Sequence, residues 1–175
     1  WKAADLYGNL GMPEKALEIY GQYARQTALD GGVSAHAAMA EAYRKLGDRE
    51  GYLRAARQYV DAVAADGKAS SPGERGVAEY YRGELLLESD PDASYAAYER
   101  AAALITDRNR LAEVYLRMAE ARREKGDLEG AAALAEKSAG LLPDETWKLL
   151  QTGDFLLGLD RAEEAREYFR RALDR

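Results

Sequence analysis

Catalysis needs side chains that shuttle protons, attack carbon or grip ions, and this sequence holds few of them. His36 is the only histidine in 175 residues, and there is no cysteine. That composition excludes a multi-histidine metal site, a thiolate nucleophile and a disulfide. His36 itself is expected to pack as a half-buried structural residue, with a pH-sensitive contact as the alternative role. "SDPDAS", from Ser89 to Ser94, opens like a calcium loop but lacks that loop's glycine and closing glutamate, so it reads as a helix cap. "GNLG" at 8–11 reads as a helix end, and no Walker-type loop or dinucleotide fingerprint is present. Asp and Glu total 31, too abundant for any one carboxylate pair to mark a site. The expectation is therefore no enzyme, no cofactor and no metal.

Composition narrows the partners. Hydrophobic residues make up 47% and charged residues 32%, enough to bury a core and keep a hydrated surface. The net charge of -6 argues against a nucleic-acid binder or a docker on anionic lipid, both of which need a basic face. No apolar run approaches the roughly 18 residues of a membrane helix. The lack of cysteine fits cytoplasm and periplasm equally. The chain starts at Trp1, in mid-helix, so a fragment of a longer protein is expected.

What must position any functional side chain is a series of helices. Ala, Leu, Glu and Arg dominate, apolar residues recur at three- and four-residue spacing, and no alternating strand pattern of useful length occurs. The spacing predicts about ten helices, over 1–9, 13–28, 33–46, 48–65, 72–88, 91–105, 108–125, 128–140, 144–157 and 160–174. Asp48, Asp127 and Asp160 stand where N-caps belong, the last with Glu163 three residues on in the manner of a capping box. Pro13, Pro72, Pro91 and Pro143 all fall at joints. "DGKASSPGERG" is the one loop-like insertion, with Ser71, Pro72 and Glu74 opening the helix that follows.

The helices repeat. Small residues, or stand-ins for them, recur in first helices at Ala4, Ala40, Gly83, Ala119 and Gly153. They recur in second helices at Ala16, Tyr52, Ser94, Ala131 and Ala165, eleven or twelve residues after the first. A period of 34 to 43 residues marks stacked supersecondary units. With Tyr7, Gly11 and Tyr20 in the first unit, Gly126 and Asp127 in the fourth, and Leu149, Leu156, Phe169 and Ala172 in the last, the chain resembles the tetratricopeptide repeat (TPR) family. Five repeats are expected, at about 1–31, 32–70, 71–107, 108–143 and 144–175, forming one α-solenoid of antiparallel helix pairs. Repeat two inverts the size pattern with Tyr52, Ala56 and Tyr59, and repeat three has a turn one residue short.

The resemblance implies a right-handed superhelix whose first helices line a concave groove for peptide or protein ligands. The residue after each small first-helix residue is then expected in that groove: Asp5, Glu41, Glu84, Glu120 and Asp154. All five are acidic, where carboxylate-clamp members of the family need Asn. A solvated helix face explains such acids as well as a ligand does. Trp1, Tyr80, Leu116 and Leu150 would add apolar surface four residues earlier, while Arg44 and Arg123 would temper the field. The expected role is a non-catalytic scaffold taking a basic or amphipathic protein segment. The alternatives are a homo-oligomerising module docking through open solenoid ends, or a regulatory segment of an enzyme, a transcription activator or an envelope export machine.

Overall fold

The computed structural model describes the chain apart from residues 1–2, 4–5, 8–9, 28–33, 67–69 and 175. Regular structure among the described residues is helical throughout. The helices are α1 (Pro13–Thr27), α2 (Ser34–Leu46), α3 (Arg49–Asp66), α4 (Pro72–Leu86), α5 (Pro91–Leu104), α6 (Arg108–Glu124), α7 (Leu128–Leu141), α8 (Thr146–Leu157) and α9 (Ala162–Leu173). The helix expected over 1–9 falls largely outside the described residues, although Ala3, Leu6 and Tyr7 are helical.

Local chemistry explains most of the boundaries. Asp48, Asp90, Asp107 and Asp127 accept hydrogen bonds from the backbone N–H three residues on, at 2.9–3.0 Å, satisfying donors that a helix start leaves free. Ser71 and Glu74 close a reciprocal box. The Glu74 N–H donates to Ser71 Oγ at 3.2 Å, and the Ser71 N–H donates to Glu74 Oε2 at 2.7 Å. Asp160 departs from expectation. It sits at φ 60°, and Arg161 takes the N-cap position of α9 without a side-chain cap. The predicted box with Glu163 does not form: the Asp160 N–H donates instead to Leu157 O at 3.1 Å, and Glu163 pairs with Arg166 one helical turn later.

The chain forms two compact units, Trp1–Leu85 and Leu86–Arg175. The boundary falls inside the third predicted repeat, just before the last residue of α4, and α5 lies wholly in the second unit. Within each unit the tightest packing runs between consecutive helices, the nearest-neighbour pattern of an all-α solenoid.

In the first unit, Ala40, Tyr52, Ala56, Tyr59, Ala78 and Tyr81 form a buried cluster across α2, α3 and α4. The Tyr81 ring lies edge-on to Tyr59 at 5.3 Å and to Tyr52 at 6.1 Å. Aromatics fill space that small residues would otherwise leave, so this layer is tyrosine-rich. In the second unit, Leu116, Ala119, Ala131, Ala135, Phe155, Leu156 and Ala165 share one core. Gly153 lies so close beneath the Phe169 ring that a Cβ there would collide with it. That contact is the small-against-aromatic fit expected of the last repeat.

Candidate functional site

The predicted groove residues meet different environments. In the first unit, Glu41 is half exposed on α2 and holds Arg44 through two bonds, Nε to Oε2 at 2.9 Å and Nη2 to Oε1 at 2.8 Å. Arg44 therefore neutralises Glu41 directly. Glu84 is buried on α4 and accepts a hydrogen bond from the Tyr52 hydroxyl at 3.0 Å, so it presents no open carboxylate to a ligand. Burial, with Tyr80, Glu84 and Tyr81 nearby, pushes the Tyr52 phenol well above its ordinary range, so it stays a neutral donor. Tyr80 packs against Tyr81 at 5.6 Å and is only partly exposed. Asp5 and Trp1 lie outside the described residues.

In the second unit, Glu120 on α6 pairs with Arg117 at 2.7 Å, and Arg117 also lies 3.3 Å from Glu113. Arg123 pairs with Glu124 at 3.3 Å and lies over the Phe155 ring, 5.5 Å from its centroid. Leu116, expected as groove surface, is instead buried in the core with Ala119 and Phe155. It shares that cluster with Ala131 and Ala135 of α7 and with Phe155 and Leu156 of α8. Asp154 and Leu150, by contrast, stand exposed on α8, and Asp154 has no ion-pair partner among the described residues.

Around Leu150 and Asp154, which the sequence placed in the groove, α8 adds Trp147, Leu157 and Lys148, which it did not. Trp147, Leu150 and Leu157 are 50%, 43% and 51% exposed, and with Asp154 they mark one outward strip at spacings of three, four and three. Their periodicity was available in the sequence; that the strip stays uncovered was not. Lys148 is fully buried, donates to Gln151 Oε1 at 2.8 Å and lies 5.5 Å from the Trp147 ring centroid. Burial lowers its pKa, Glu113 opposes that shift and Arg117 adds to it. His36 is partly buried, its Nδ1 has no hydrogen-bond partner, and burial lowers its pKa. Among the described residues no three carboxylate or imidazole side chains converge to hold a metal ion. No helix there is long and apolar enough to cross a membrane.

The tetratricopeptide repeat family model matches residues 149–175, over α8 and α9. Solved structures match nearly the whole chain. PilW, described as a widely conserved type IV pilus biogenesis factor, aligns at TM-score 0.73 and 15% identity, over 99% of this chain and 76% of its own. MamA from Desulfovibrio magneticus RS-1 aligns at 0.59 and 21%, over 98% and 93%. YrrB, described as a TPR protein with an unusual peptide-binding site, aligns at 0.55 and 17%, over 98% and 81%. A comparison with curated proteins gives no match. At these identities the structural likeness carries the fold.

Proposed function

We propose that this chain, a tetratricopeptide-repeat solenoid, is a non-catalytic scaffold that binds a segment of another protein along its first-helix faces. The observation that carries this reading is the outward strip of α8, where Trp147, Leu150 and Leu157 expose large apolar surface around the charged Asp154. Solvated helices rarely expose a tryptophan and two leucines on one face, and such patches mark sites of association. The titratable residues support the non-catalytic part. Glu41, Glu84 and Glu120 are each engaged by Arg44, Tyr52 and Arg117, and a general base occupied in this way is not poised for proton transfer.

YrrB is described as having a peptide-binding site, and the same kind of ligand is proposed here, without nucleic acid. The test is affinity capture on the full chain, followed by titration of the captured protein at several salt concentrations. Asp154→Asn and Glu120→Gln together are expected to slow association and flatten its salt dependence. Unchanged affinity and salt slope would reduce these acids to a solvated face; capture of nucleic acid alone would reject the reading.

A further inference from the structure

Building on the scaffold reading, we propose that the outward face of α8 docks one α-helix of a partner protein. The docked helix is amphipathic, and its apolar seam carries an arginine or lysine that pairs with Asp154. The spacing selects a helix. Trp147, Leu150, Asp154 and Leu157 lie within about 80° of one another around the α8 axis and span about 15 Å along it. The opposite face, with Lys148, Leu149, Thr152, Gly153 and Leu156, is buried. Alternating steps of three and four build the seam into which a second helix inserts its side chains. An extended strand, which presents side chains with a period of two, matches that rhythm poorly.

Charge selects the partner's chemistry. Asp154 sits in the middle of the apolar strip and has no cation of its own among the described residues. Three bases of α6 and α8 have other partners. Arg117 serves both Glu113 and Glu120, Arg123 pairs with Glu124, and Lys148 is turned inward to Gln151. Any helix that covers Trp147, Leu150 and Leu157 also strips water from the Asp154 carboxylate, a cost offset only if it brings a positive charge. Arginine fits best, because its planar fork meets a carboxylate with two bonds. A second copy of α8 does not supply this: its own outward strip offers another Asp154 and no base.

The experiment selects binders to the full chain from a displayed library of helix-forming segments about 18 residues long. The Trp1→Phe background leaves Trp147 as the reporting tryptophan. Enriched segments are expected to carry apolar residues at three- and four-residue steps around an Arg or Lys, and the synthetic binder should shift Trp147 emission. Asp154→Arg should weaken that binder about tenfold or more, and replacing the binder's base with Glu should restore affinity to the Asp154→Arg chain. Circular dichroism of each variant establishes that it remains folded.

Enriched segments whose binding is indifferent to Leu150→Ala, Leu157→Ala and Asp154→Arg would overturn the α8 assignment and leave the scaffold reading standing. Segments enriched for acid or proline in place of the base would overturn it equally. So would a concentration-dependent dimer abolished by Trp147→Ala, which would make a second copy the occupant. If no protein segment is enriched and affinity capture also fails, the scaffold reading falls with it.

Discussion

Glu84 and Asp154 hold the same place in their repeats, one residue after the small residue of a first helix, yet they do different things. The cause is the facing second helix. Tyr52 stands where repeats four and five carry alanine, and its hydroxyl reaches Glu84 at 3.0 Å. Removing that donor inside a buried cluster should be costly. Tyr52→Phe is expected to destabilise the chain by about 1–3 kcal/mol, and Tyr59→Phe, whose hydroxyl donates to the neutral Glu74 O at a longer 3.4 Å, by less. Chemical denaturation of both variants checks the order. Lys148 gives a pH test. Its charged form is penalised in the folded state, so its folded pKa lies below the unfolded one. Across the window between those two values the unfolded chain binds more protons, and stability should rise with pH; below it the penalty is fully present. Lys148→Met should remove that rise, read from melts across the alkaline range. Neither Glu84 nor Lys148 was legible from sequence, because burial is decided by residues on other helices. The resemblance to the repeat family could place Asp154 on a first-helix face, but not its lack of a cation among the described residues.

At the scale of the helices the sequence was far more informative, and the reason is that the signals are local. Proline, glycine and capping aspartate act within one turn of where they stand, so the described helices start and end within two residues of expectation. Asp127 caps α7 as predicted, and Gly126 supplies the left-handed φ of 77° that turns the chain into it. Asp160 shows the limit of that logic. A carboxylate is read as a cap from its type, but in the left-handed region Asp160 leaves the cap position to Arg161. The Ser71–Glu74 box makes a prediction for α4. Ser71→Ala is expected to cost about 1 kcal/mol. The Ser71 N–H, then its hydroxyl, hold the Glu74 carboxyl below its usual range. Its contribution is thus present above the unfolded carboxylate pKa and lost as pH falls through the folded one. A Ser71→Ala and Glu74→Gln double-mutant cycle at neutral and acid pH should show a coupling that vanishes in acid.

For the whole molecule, the period gave the all-α class and the helix-pair architecture but not the division at Leu85 and Leu86. A repeat count treats every joint alike, whereas a compact unit is set by which helices build one core. Here one core is built around Tyr52, Tyr59 and Tyr81, and another around Leu116, Phe155 and Leu156. Each core closes within its own stretch of chain, and this has a mechanical consequence. A solenoid with one uniform stack would peel repeat by repeat when drawn out by its ends. This chain is expected to lengthen in an optical trap by two principal jumps, each releasing close to half the contour length. Tyr52→Phe should lower the force of one jump and leave the other where it was. A single jump, or five equal ones, would show that the load is shared across Leu85 and Leu86 after all.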